Sequence, residues 1–146
     1  MPDSGRAYFV INQKSGTALD LSGQDHRSVI GFHLQRSENQ KWRFDQHQDG
    51  WTIQNLYDGK FLDVNVPNVE GDGVSIVAVS TNNPRKWEVR YDDQFGGWRF
   101  FYREQDGQIS NQNIDLSDHG NPANNTPVTL WGTWPGQNQV WRLEDA

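Results

Sequence analysis

The chain of 146 residues has no cysteine. That absence excludes a disulfide framework, a thiol nucleophile and a cysteine-bound zinc, and it fits a reducing compartment. There is no run of about 18 apolar residues, the length a membrane-crossing helix needs. The opening residues MPDSGRAYFV lack a basic segment followed by an apolar one. No standard secretion signal is read there, and a cytoplasmic or non-classically secreted protein without membrane insertion is expected. A basic stripe is missing as well: Asp and Glu are scattered among Lys and Arg, and the formal net charge is -6. Nucleic acid is therefore not an expected partner. The four histidines, at 26, 33, 47 and 119, show no metal-ligand spacing, and neither a G-x-S-x-G elbow nor a phosphate-binding glycine loop occurs. No metal, cofactor or catalysis is expected.

What the chain does have is aromatic side chains, 12% of its residues, with seven tryptophans among them. A disordered segment rarely carries so many. At this length a single domain buries roughly 70% of the surface its unfolded form exposes, so one domain over residues 1–146 is expected, with a small, ring-rich core.

The rings recur with a pattern. Three units of similar plan follow one another, at about 7–50, 51–97 and 98–146. Each opens on an aromatic or β-branched stretch, then makes a turn at Ser15-Gly16, Asp58-Gly59 or Asp106-Gly107. An apolar-Asp-apolar triplet follows: Leu19-Asp20-Leu21, Leu62-Asp63-Val64 and Ile114-Asp115-Leu116. Each unit then has a polar loop, a valine-led strand beginning at Val29, Val74 or Val128, and a closing tryptophan at Trp42, Trp87 or Trp141. Short strands punctuated by turn residues, with no amphipathic helical window, indicate an all-β fold. Alternation within each triplet is expected to turn the apolar pair inward and the carboxylate outward. Units this small cannot bury their apolar faces singly, so they are expected to close around a shared pseudo-threefold axis.

The closing tetrapeptides are NQKW and NQVW in the first and third units but PRKW in the second. Three registered copies with Q-x-W at Gln40-Lys41-Trp42 and Gln139-Val140-Trp141, each with an upstream Asp, resemble the β-trefoil of ricin B-chain-like lectins, in particular small single-domain fungal lectins. The resemblance covers about Tyr8 to Leu143. It implies a carbohydrate-binding protein without catalysis, whose partners are glycans of glycoproteins or glycolipids, commonly of the galactose or N-acetylgalactosamine class.

Aligned on the closing tryptophan, Phe32, Val77 and Trp131 share a position, as do Asn39, Pro84 and Asn138. The first unit thus presents Asp20, Phe32, Asn39 and Gln40, and the third Asp115, Trp131, Asn138 and Gln139. This is chemistry a sugar requires: a flat ring for the apolar C–H face, and a carboxylate and amide for the hydroxyl rim. Gln40 and Gln139 are read as supports that orient the site. His33, beside Phe32, and the backbone of Gly23 are further candidates in the first unit. The second unit has lost ring and amides together, and it is expected to be a dead site beside two live ones. The three tryptophans, which all units keep, are expected to serve the core.

Other uses remain open. Asp20 and Asp115 would also serve as turn caps, the lesser of the two readings. Phe32 and Trp131 would equally serve as core rings, and Trp51, Trp98 and Trp134 either close the barrel or face an interface. The long loop SDHGNPANNTP either covers the third site or extends it. A protease inhibitor acting through Tyr91–Gly97 or Gly120–Pro127 is the alternative of a different class. Shallow single sites bind weakly, so avidity from two sites, or from a homodimer, is expected.

Overall fold

The computed structural model describes residues 1–146. Twelve strands follow the threefold plan. The first unit holds β1 (Arg6–Asn12), β2 (Ala18–Leu21), β3 (Val29–Phe32) and β4 (Lys41–His47). In the second are β5 (Gly50–Asn55), β6 (Phe61–Val64), β7 (Val74–Val79) and β8 (Trp87–Asp92). The third has β9 (Gly97–Arg103), β10 (Ile109–Leu116), β11 (Thr126–Gly132) and β12 (Trp141–Asp145).

The first and last strands of the units form a closed antiparallel barrel through β1–β4, β4–β5, β5–β8, β8–β9, β9–β12 and β12–β1. Closure removes the edges that an open sheet would expose. The middle strands form three hairpins, β2–β3, β6–β7 and β10–β11. These hairpins meet one another through β3–β11, β7–β11 and a bridge between Ser28 and Val77. The fold is a β-trefoil.

The expected turns form in each unit. Gly16, Gly59 and Gly107 have φ of +74°, +78° and +87°, a conformation that glycine adopts without a Cβ penalty. The residue before each glycine accepts a backbone N–H from two positions on: Ser15 Oγ from Thr17, Asp58 Oδ1 from Lys60 and Asp106 Oδ1 from Gln108.

Trp42, Trp87 and Trp141 are completely buried, and their indole N–H groups donate to the carbonyls of Leu19 (2.9 Å), Leu62 (3.2 Å) and Ile114 (3.2 Å). Each carbonyl belongs to the residue just before the triplet Asp, so each indole ties its barrel strand to its own hairpin. Phe44, Phe100 and Trp51 fill the barrel, with Phe44–Phe100 and Phe44–Trp51 ring centroids 5.8 and 6.5 Å apart. Trp51 is a core residue and Trp98 packs against the core from its edge. Trp134 is neither; it is 40% exposed.

Candidate functional site

The triplet aspartates alternate away from the core, since Leu19, Leu21, Ile114 and Leu116 belong to the core cluster and Asp20 and Asp115 do not. They do not stand out in solvent, however, as alternation alone implies. Asp20 is 3% and Asp115 5% exposed. The physical reason is the chain just before each closing tryptophan, which folds over the hairpin as a 3-10 turn, Glu38–Gln40 in the first unit and Gln137–Gln139 in the third. Burial pushes both carboxyls above the ordinary aspartate range, against the hydrogen bonds from Gln40 to Asp20 and from Gln139 and Asn138 to Asp115.

The glutamines are supports, not contacts. Gln40 and Gln139 are completely buried, and their Nε2 groups donate to Asp20 Oδ2 (2.9 Å) and Asp115 Oδ2 (2.8 Å). Each is itself held. Gln40 Oε1 accepts the backbone N–H of Gln35 and Arg36. Gln139 Oε1 accepts the backbone N–H of Trp134 and Nη1 of Arg99 at 2.9 Å. Arg99 is a buried hub that also donates to Asp92, Asn113 and the Trp134 carbonyl. It lies on β9, 40 residues before the Gln139 it holds, and no local motif marks it.

In the third unit the sequence candidates meet. Asp115, Trp131 and Asn138 line a cavity of about 410 Å³ together with Ser117, Asp118, His119, Thr129 and Trp134. Asn138 spends its amide hydrogens on Asp115 Oδ2 (3.2 Å) and the Leu116 carbonyl (3.1 Å). Asp115 Oδ1 and Asn138 Oδ1 have no partner within the protein, and neither is sealed from solvent. The floor therefore offers two hydrogen-bond acceptors. Trp131, 45% exposed, and Trp134 supply two ring walls, so neither is a core ring.

The long loop extends this site rather than covering it. Directly after β10 the chain makes a left-handed turn over Ser117–Gly120, with φ of +54° at Asp118, +53° at His119 and +79° at Gly120. Non-glycine residues in that region store strain, about 1–2 kcal/mol each. The turn places His119 against Trp134, ring centroids 6.2 Å apart. Gly120 is obligatory: a Cβ there would sit 2.7 Å from Lys14 Cγ and 2.9 Å from Asn138 Cβ.

The first unit is built differently. Gly23 and Asn39 line a groove of about 430 Å³ with His26, Ser37, Glu38 and Tyr57. Phe32 and His33 stand elsewhere, their rings 4.8 Å apart, with the His33 backbone bonded to Asn124. Phe32 is half-buried and outside the core cluster. Of the expected cluster of Asp20, Gly23, Phe32, His33 and Asn39, Gly23 and Asn39 line this groove, and Gln40 joins Asp20 to the His33 carbonyl by donating to both at 2.9 Å.

The second unit has its Gln replaced by Arg85, whose Nε bonds Asp63 at 2.6 Å and whose guanidinium lies 4.8 Å from the Tyr102 ring centre. The alignment of Val77 with Phe32 and Trp131 needs correction. Across the hairpins, Phe32 pairs with Ala18 and Trp131 with Asn113, each two residues before the triplet Asp; the residue so placed in the second unit is Val79, opposite Phe61. Val79 stands eight residues before Trp87, whereas Phe32 and Trp131 stand ten before Trp42 and Trp141. The second loop is therefore two residues short, and the ring is absent at the corrected position too.

No group of three His, Asp or Glu side chains is gathered to hold a metal ion, and no helix is long and apolar enough to cross a membrane.

A closed trefoil in which two hairpins carry buried, glutamine-held aspartates, one of them beside an exposed tryptophan, fits a sugar-binding module. The family model for the ricin-type beta-trefoil lectin domain matches residues 2–79 and 38–131, and the chain belongs to that family. It is similar, at 34% identity and a TM-score of 0.89, to the Macrolepiota procera ricin B-like lectin solved in complex with lactose, over 100% of this chain and 99% of that one. The Rhizoctonia solani agglutinin shares the fold at 24% identity and a TM-score of 0.82, over 100% and 99% of the two chains. A designed threefold-symmetric protein, ThreeFoil, shares it at 23% identity and 0.81, over 96% and 99%. Comparison with curated proteins found no match.

Proposed function

We propose that this protein is a non-catalytic lectin that holds galactose or N-acetylgalactosamine residues of glycans in the first and third units, with the third the more completely built site. The observation that carries the reading is Asp115: one carboxylate oxygen is fixed by Gln139 and Asn138, the other is unpartnered at the floor of a cavity walled by Trp131 and Trp134. A pyranose laid against a ring would direct neighbouring hydroxyls to Asp115 Oδ1 and Asn138 Oδ1, while Ser117, Thr129, His119 and the Trp134 indole edge line the rim. Lactose in the Macrolepiota procera lectin supports the galactoside class.

A glycan array tests this, with galactosides expected as the bound set and free lactose expected to displace them; a silent array at high protein concentration would overturn it. Because Asp118 brings a second carboxylate to the cavity wall, binding is separated from hydrolysis by incubation with an aryl galactoside, from which no phenol release is expected. The inhibitor alternative gains no support: the Tyr91–Gly97 segment is a tight β8–β9 turn pinned by Asp92 and Gln13.

A further inference from the structure

The three seams between units are equivalent by symmetry and differ in what fills them. At each seam the first turn of one unit approaches the closing loop of the unit before it. Between the third and first units the approach is tight, with Asn12 donating to the Asn138 carbonyl and Lys14 also close to Gly120 of the turn after β10. Between the second and third, Arg85 of the closing loop donates to the Arg103 carbonyl, while its ion pair with Asp63 lies within the second unit. Between the first and second, Asn55 donates to the Asn39 carbonyl and Lys60 to that of His26, and the turn carries Tyr57 beside a groove.

Tyr57 is 55% exposed and belongs to no core cluster. Its ring is nevertheless fixed, stacked on His26 at 5.1 Å and 20°. His26 is held in turn at a φ of +51°, its N–H bonded to the Ser22 carbonyl and its own carbonyl taking Lys60 Nζ at 2.6 Å. Asp25 stiffens the same loop by accepting the N–H groups of Arg27 and Ser28, both at 2.9 Å. Holding an aromatic ring on a strained, pinned residue while leaving it exposed serves no packing need. It produces a rigid flat platform beside a groove whose other wall carries Glu38 and Asn39. At Gly23 nothing lies within 4 Å of a Cβ position, so ligand can approach the backbone there.

We infer that this seam is a saccharide subsite, in which Tyr57 stacks on a sugar ring next to the one held at Asp20, so that the first site reads an oligosaccharide across two units. Asn39 links the two positions, because it lines the groove and its Nδ2 donates to the carbonyl of Leu21, the residue next to Asp20, at 3.1 Å. The inference rests on the sugar-binding reading of the first unit. It gives the two sites different tasks: the third takes a short galactoside in one cavity, and the first takes an extended chain.

The test uses the full-length Asp115→Asn protein, which leaves the first unit to be read alone. Affinities for galactose and for a set of linear tri- and tetrasaccharides ending in galactose are measured by calorimetry, and the Tyr57 ring resonances are followed by NMR. At least one oligosaccharide is expected to bind about three- to tenfold more tightly than galactose, the gain of one aromatic stacking contact. It should also shift the Tyr57 resonances, which galactose alone should not. Tyr57→Ala should bring the ratio of oligosaccharide to galactose affinity to about one, with Tyr57→Phe restoring it. Galactose binding with no oligosaccharide preference and still Tyr57 resonances would overturn the subsite and leave the Asp20 site standing. Loss of all binding would overturn both.

Discussion

Asp115→Asn is nearly isosteric, and the structure predicts opposite effects on function and stability. Two donors, Gln139 Nε2 and Asn138 Nδ2, converge on Asp115 Oδ2. An asparagine at 115 must turn its carbonyl toward them and its amide nitrogen toward the cavity, which places a donor where the floor now offers an acceptor. A hydrogen bond to a charged group contributes about 1.5–3 kcal/mol. Losing one from a sugar hydroxyl should weaken the third site by about 10- to 150-fold. Calorimetric titration with N-acetylgalactosamine in an Asp20→Asn background, where only the third unit is read, measures this directly.

The stability effect has the other sign. Burial raises the folded carboxyl above its unfolded value, so the folded state holds the proton more tightly. Stability then falls as pH rises from the unfolded value, about 3.9, through the folded one. Above both, the fold carries the whole cost of a buried charge. Asparagine has no charge to desolvate, so the variant should unfold at a higher temperature than the parent at pH 7, and the advantage should shrink as both are acidified below about pH 4. Unaltered sugar affinity, or a variant that unfolds below the parent at pH 7, would refute the reasoning.

The same rise in carboxyl pKa governs the pH range of the lectin. Protonation removes the acceptors, so galactoside binding should fade at a midpoint above the ordinary aspartate value of about 3.9; a midpoint at or below it, in a pH series of titrations, would contradict the burial of Asp20 and Asp115. Trp42→Ala empties a completely buried site and strands the Leu19 carbonyl, and it should cost about 3–5 kcal/mol in denaturant unfolding. Gly120→Ala pushes a methyl group into Asn138 and should abolish binding at the third unit while the first unit, titrated in the same sample, retains its affinity.

Much of the trefoil can be read from residue order because its rules are local. A glycine with positive φ, an apolar-Asp-apolar triplet and a closing tryptophan each act within one unit, and their threefold recurrence implies the axis. Site residues were legible where the same elements supply them, as with Asp115, Trp131 and Asn138. Arg99, His119 and Trp134 were not. Arg99 reaches Gln139 from the neighbouring strand β9, 40 residues away in the chain, and His119 reaches the cavity only because the chain winds left-handed after β10. The two-residue shift at Val77 has a plainer cause. The Asp-to-Trp interval differs in every unit, so an alignment anchored on tryptophan cannot say on which side of the ring a deletion falls, whereas strand pairing can.

The altered second unit shows why ring and amides are missing from it as a set rather than residue by residue. In the other two seams an asparagine of the following unit steadies the closing loop: Asn55 donates to the Asn39 carbonyl and Asn12 to the Asn138 carbonyl. The corresponding residue for the second loop is Tyr102, which cannot make that bond and instead lies under Arg85. With two residues missing, the loop also lacks the length that lets a glutamine lie over the aspartate with its carbonyl held by the backbone. Arg85 solves the remaining problem, since Asp63, only partly exposed beneath the shortened loop, needs a partner. It neutralises the carboxylate with an ion pair and removes from sugar the oxygen it would need. Restoring Arg85 to glutamine alone therefore leaves the loop too short and the Tyr102 ring in place, and recovery of a third sugar site would require the loop insertion and a Tyr102→Asn change together.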